Sequence, residues 1–148
     1  MQANEDFKDL FSIFNEEGVE YLVVGAYAVI YYAEPRFTKD IDIWVNPTIE
    51  NATKVWNALR RFGAPLENIT KEDFVNKELV YQIGIAPNRI DILMDIGNIP
   101  FDSAYRNAVT STYDGVTIKI VGKEDLIQSK KTIARKQDLI DVERLEEK

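Results

Sequence analysis

The stretch KDIDIWV, residues 39 to 45, interleaves Asp40 and Asp42 with Ile41 and Ile43, and that alternation leaves few folds open. Successive side chains of a β-strand point to opposite faces. Ile41, Ile43 and Val45 therefore share one side, and Asp40, Asp42 and Trp44 the other. RIDILMDI, residues 89 to 96, repeats the code, with Arg89, Asp91, Leu93 and Asp95 opposite Ile90, Ile92, Met94 and Ile96. Two such strands call for a sheet whose apolar face is packed under helices.

The rest of the chain supplies those helices. Phe7, Leu10, Phe11 and Phe14 recur at helical spacing over residues 4 to 16, and Gly18 stops the run. YLVVG, residues 21 to 25, reads as a strand ending at a glycine turn, and AYAVIYYA beyond it has good helix formers and no breaker before Pro35. Asn46-Pro47-Thr48 opens a helix over 49 to 62 whose apolar stripe is Ile49, Ala52, Val55, Trp56 and Leu59. Thr70 with Asp73 three residues on marks a short helix through Asn76. LVYQIGIA and RIDILMDI, separated by Pro87-Asn88, read as a hairpin. A helix around 101 to 108 and one alternating strand, GVTIKIVG, precede a C-terminal helical segment that bends near 134 to 136. The order predicts an α/β (α+β) fold, a mixed, twisted sheet covered by helices, and no linker or repeat divides it. A chain of 148 residues suits one domain, 1–148.

Two like charges one residue apart on a half-buried strand require an explanation. Residues i and i+2 of a strand project to the same side about 6.6 to 7 Å apart. That spacing lets two carboxylates reach ions on a shared centre, and two-metal phosphoryl-transfer sites hold hard cations about 3.5 to 4 Å apart on oxygen ligands. Asp91 is placed to supply a third carboxylate from an adjacent strand, with Asp95 as its competitor about 13 Å further along. The plain alternative is an edge strand whose aspartates discourage edge-to-edge pairing. The sequence contains no His and no Cys, which excludes disulfides, a thiolate nucleophile, a histidine base and a zinc site built on those ligands. Chemistry must run on carboxylates, hydroxyls and cations. Gly25 also has two readings: a backbone that needs positive φ, or a bare turn that admits a phosphate to the amides at a helix N-terminus.

VGAYAVIYYAEPRFTKDIDIWV resembles the signature of the nucleotidyltransferase superfamily that includes DNA polymerase beta: a glycine-led turn, a helix, then R-x-T-x-D-x-D. APNRIDILMDI is similar to the third-aspartate strand of its small, stand-alone members. GVTIKIVGKEDLIQSKKTIARKQDLIDVERL is similar to their closing segment, where L-I-x-x-K is followed by R-x-x-D-x-x-D. Those members include the nucleotidyltransferase-type toxins of abortive-infection toxin-antitoxin pairs. The resemblance implies that Asp40, Asp42 and Asp91 are catalytic and hold two Mg²⁺ ions, with Mn²⁺ as a substitute, and that Asp91 is nearest the attacking hydroxyl. It implies that Gly25 and Ala26 form the turn for the nucleotide's phosphates, that Arg36, Thr38 and Lys39 are the basic and hydroxyl approach, and that Lys130 faces the triphosphate. Arg135, Asp138 and Asp141 match the last motif, and equally suit a charged helix face with ion pairs. The chain departs from the pattern in two places. Gly25-Ala26 stands for Gly-Gly or Gly-Ser, and Tyr32-Ala33 for a His-Gly pair.

The expected activity is Mg²⁺-dependent transfer of an NMP from an NTP to an acceptor hydroxyl of RNA, protein or a small molecule, possible as one half of a toxin-antitoxin pair. The rival from another class is a catalytically inert module of the same fold that acts as a toxin-antitoxin or regulatory partner. A third reading is a simple divalent-ion-binding domain. So small a chain leaves room for a cognate protein or a homo-oligomer to complete the cleft. A formal net charge of −7 argues against non-specific DNA binding. No apolar run approaches the roughly 20 residues a membrane span needs, and the acidic start MQANEDFKDL is unlike a secretion signal, so a cytoplasmic protein is expected.

Overall fold

The computed structural model describes residues 4–33, 40–84, 88–133, 142, 143 and 145–147. In chain order the elements are α1 (Glu5–Glu16), β1 (Tyr21–Val24), α2 (Gly25–Tyr32), β2 (Ile41–Val45), α3 (Ile49–Phe62), a 3-10 turn (Lys71–Val75), β3 (Val80–Ile83), β4 (Ile90–Leu93), α4 (Phe101–Arg106), β5 (Val109–Tyr113), β6 (Val116–Ile120) and α5 (Lys123–Ile133). The six strands form one mixed sheet in the order β3-β4-β2-β1-β6-β5. β2 runs antiparallel to β1 and parallel to β4, and β1 is parallel to β6. The expected mixed sheet under helices is what the chain forms.

Strand parity decides which helices lie on which face. Tyr21 pairs with Val45 and Val23 with Ile43, so these four share the side of Ile41. On that side Phe11 stacks on Tyr21 at 5.9 Å between ring centroids and Phe14 meets it edge-on at 5.6 Å, which seats α1 there. α3 packs beside α1 through Ala52, Val55, Ala58 and Leu59, all buried. On the opposite side, the side of Asp42, Trp44 meets Phe101 of α4 at 4.9 Å and near a right angle. Both faces are thus covered, and β1 is buried at all four positions, as expected of a strand inside a two-sided sheet.

Local chemistry fixes the element ends. Asn4 Oδ1 accepts the amides of Asp6 and Phe7 at 2.8 and 3.2 Å, and Thr48 Oγ1 accepts that of Asn51 at 3.2 Å, so each side chain caps a helix. The Thr70 amide donates to Asp73 Oδ2 at 2.9 Å, the expected start of the 3-10 turn. Asn51 joins helix to sheet: its amide group donates to the carbonyls of Glu20 and Asn46 at 3.0 and 2.9 Å, while its Oδ1 accepts the Glu20 amide at 2.8 Å.

Two expectations are corrected. The α3 stripe does not begin at Ile49, which is 64% exposed; buried Asn51 takes the place at the inner end of the helix. Residues 109–113, expected only as the link after a helix, are the strand β5, paired antiparallel to β6 from Val109↔Ile120 to Tyr113↔Val116. Asp114 and Gly115, at φ +47° and +84°, make the turn between them. The C-terminal segment begins as expected with α5; the bend near 134 to 136 lies outside the described residues.

Candidate active site

The parallel pairing of β2 and β4 sets Asp42 directly beside Asp91, with Ile41↔Ile90 and Ile43↔Ile92 on either side of them in the register. Their side chains rise on the same face of the sheet, one carboxyl beside the other. Burial, then the neighbouring Asp91 carboxylate, push the Asp42 carboxyl up to about 6 from its ordinary 3.8; Arg89 pulls the other way. Asp91 is itself buried, at 8% exposure. Asp40 stands one residue before β2, where its Oδ1 accepts the backbone amide of Arg89 at 2.9 Å. The guanidinium of Arg89 donates from Nε to Asp91 Oδ1 at 2.9 Å, and its Nη2 lies 3.9 Å from Asp40 Oδ2. Asp95, the competitor for third ligand, borders the cleft, but its carboxylate accepts the amides of Gly97 and Asn98 at 3.0 to 3.2 Å and so holds the turn after β4.

Gly25 begins α2 at φ +66°, and a Cβ placed there would lie 2.0 Å from Asp42 Oδ2. Only glycine lets the Asp42 carboxylate rest against the turn. No side chain caps this helix, and its first turn opens on the carboxylates, an arrangement suited to an anion. Ala26 follows in that turn. The cleft, about 400 Å³, is bordered by Gly25, Asp42 and Asp91, by Gln82 and Val80 of β3, and by Leu126, Ser129 and Lys130 of α5. Lys130 is buried, at 9% exposure, on the wall of the same cleft as the aspartates. Tyr32, in place of the relatives' His, donates its hydroxyl to the Val121 carbonyl at 2.7 Å and ties α2 to the end of β6.

The structure thus brings Gly25, Asp42, Asp91 and Lys130 to one cleft and holds Asp40 at its rim through Arg89. Arg36, Thr38 and Lys39 lie outside the described residues, as do Arg135, Asp138 and Asp141. Sequence reasoning placed Arg89 on the acidic face but gave it no part. The signal was available, since an arginine two residues before an aspartate on one strand projects to the same side. Gln82 was missed as well, although it pairs directly with Asp91 across β3 and β4. The donors are all carboxylate oxygens, which suit Mg²⁺ or Mn²⁺. The Asp42–Asp91 pair fits such an ion by its chemistry, but among the described residues no three acidic side chains close on a point that could hold a metal.

A mixed sheet with paired aspartates on parallel strands beside a glycine-opened helix defines a protein of the nucleotidyltransferase fold. The family described as "Nucleotidyl transferase of unknown function (DUF2204)" matches residues 3–148, and the chain belongs to it. It is a nucleotidyltransferase by that membership. Among solved structures it is similar to the lincomycin-bound lincosamide antibiotic adenylyltransferase LnuA, with TM-score 0.59, 14% identity, and coverage of 97% of this chain and 96% of that one. The antibiotic-resistance factor ANT(2'')-Ia superposes with TM-score 0.65 at 10% identity over 95% of this chain and 80% of that one. The Thermotoga maritima nucleotidyltransferase candidate TM1012 does so with TM-score 0.64 at 16% identity over 96% and 91%. At these identities the likeness is one of fold. No curated protein matches the chain in sequence. Among the described residues no helix is long and apolar enough to cross a membrane.

Proposed function

We propose that the chain moves an NMP from an NTP to the hydroxyl of an acceptor in the cleft between α2, β4 and α5. The observation that carries this reading is the register pairing of Asp42 with Asp91 over the open first turn of α2. The α2 amides at Gly25 and Ala26 bind phosphate oxygens, and Lys130 faces the triphosphate from α5. Arg36, Thr38 and Lys39 form the approach on the other side. Asp91 orients the acceptor hydroxyl and takes its proton as the oxygen bonds to the α-phosphorus; the bond from that phosphorus to the bridging oxygen breaks, and pyrophosphate leaves with the electron pair. Asp40, Asp42 and Asp91 would hold Mg²⁺, with Mn²⁺ as a substitute; bound there, it would offset phosphate charge and make the acceptor hydroxyl more acidic. Substrate and ion of this kind are those of the cytoplasm, where we place the protein.

LnuA and ANT(2'')-Ia are named for action on, or resistance to, small antibiotics. We therefore favour a small hydroxylated acceptor over RNA or protein, and the acidic net charge of −7 supports this against polyanions. The test is incubation with each labelled NTP and Mg²⁺ in the presence of metabolite extract, RNA or protein. Label transfer to the small-molecule fraction, lost in D42N and D91N, is the expected result; transfer to none of the three contradicts the reading. One observation favours an inert toxin-antitoxin or regulatory partner instead, namely the hold of Arg89 on Asp40 and Asp91. That reading requires no label transfer and a nucleotide-independent protein complex.

A further inference from the structure

We infer that Arg89 is a tethered counter-cation of the cleft, which must release Asp91 before a divalent ion can bind there. The inference rests on the proposed metal-dependent transfer and deepens it by naming what competes with the ion. Arg89 touches both outer carboxylates at once: Nε donates to Asp91 Oδ1 at 2.9 Å, the backbone amide donates to Asp40 Oδ1 at 2.9 Å, and Nη2 approaches Asp40 Oδ2 at 3.9 Å. Among the described residues the acidic side chains form no closed group of three. One lone pair of Asp91 Oδ1 is already directed at the guanidinium, and a divalent ion at bonding distance from that oxygen would lie close to a like charge.

The tether is placed to open. The Arg89 side chain is 36% exposed whereas that of Asp91 is 11% exposed, so the arginine can swing toward solvent while the aspartate stays where the strand fixes it. Only the guanidinium contacts depend on the side chain; the amide of Arg89 keeps Asp40 at the rim whatever residue stands at 89. Arg89 thus lowers the affinity for a lone ion without altering the ligand set. A tether closed about nine-tenths of the time raises an apparent dissociation constant about tenfold.

Mn²⁺ binding to the full chain, followed by electron paramagnetic resonance without nucleotide, tests this on the wild type, R89Q, R89K and D91N. R89Q is expected to bind Mn²⁺ about tenfold more tightly than the wild type, with R89K between them. Equal or weaker binding by R89Q overturns the inference, because an arginine that merely positions Asp91 would leave the ligand disordered when removed. Should R89Q fail to fold, R89K decides in the same way, with about threefold tighter binding in support and equal or weaker binding against. A second readout is the Arg89 Nε–H resonance of the wild type, expected to shift as Mg²⁺ is added; a resonance that stays fixed while ion binds contradicts release. Binding that is absent from every protein, or unchanged in D91N, defeats the metal reading itself, which the R89Q comparison alone does not.

Discussion

Gly25 and Asp42 have to be understood together. The positive φ of Gly25 and the 2.0 Å from its missing Cβ to Asp42 Oδ2 mean that any other residue both strains the turn and displaces the carboxylate. The left-handed backbone alone costs about 1 to 2 kcal/mol. G25A is therefore expected to lower the melting temperature and to remove nucleotide binding measured by calorimetry; unchanged values of both would refute the packing argument. Asp42 makes a prediction with a definite sign. Its folded carboxyl is raised to about 6, above the roughly 3.9 of an unfolded aspartate, so its contribution to stability is complete at low pH and lost as pH rises through 6. The loss amounts to about 2 to 3 kcal/mol at neutral pH. Without divalent ions, D42N is expected to gain on the wild type by that amount between pH 4 and pH 7.5 in urea unfolding. Parallel pH curves for the two proteins would contradict it.

Individual elements show why some of the fold could be read and some could not. β2 and β4 were legible because each alternates Ile with Asp over a buried apolar face, so the period-two signal was strong at the very positions that carry the chemistry. β5 was not, because VTSTY on an outer strand is mostly small hydroxyl residues at half-exposed and exposed positions, and only Tyr113 at its end is buried. Asp114-Gly115 between β-branched runs was the signal that would have found it. Arg89 was legible only in part: its reach to Asp91 follows the local alternation, but its hold on Asp40 depends on β4 lying next to β2 in register, which local periodicity does not specify. The same dependence holds for Asn51, whose burial follows from the docking of α3 on the loops before β1 and after β2. Replacing Asn51 by alanine leaves the Glu20 amide without its acceptor, while the Glu20 and Asn46 carbonyls keep the backbone amides of Asn46 and Thr48. It is expected to cost about 1 to 3 kcal/mol, read as a shift in the urea midpoint. A change under about 0.5 kcal/mol would show that the loops find other partners.

At the scale of the whole molecule, the sheet is a device for bringing distant parts of the sequence to one cleft. Residues 25, 42, 91 and 130 reach it from the start of α2, from β2, from β4 and from α5. The acidic cleft depends on a cation in every state: Arg89 supplies it in the ion-free protein, and the proposed Mg²⁺ in the working one. The most direct test is diffraction from crystals soaked with Mn²⁺ and a non-hydrolysable NTP. The account predicts an anomalous peak between the carboxylates of Asp42 and Asp91, phosphates at the first turn of α2, and the Arg89 guanidinium withdrawn from Asp91. Manganese and nucleotide bound elsewhere, or Arg89 still bonded to Asp91 in the presence of both, would contradict it.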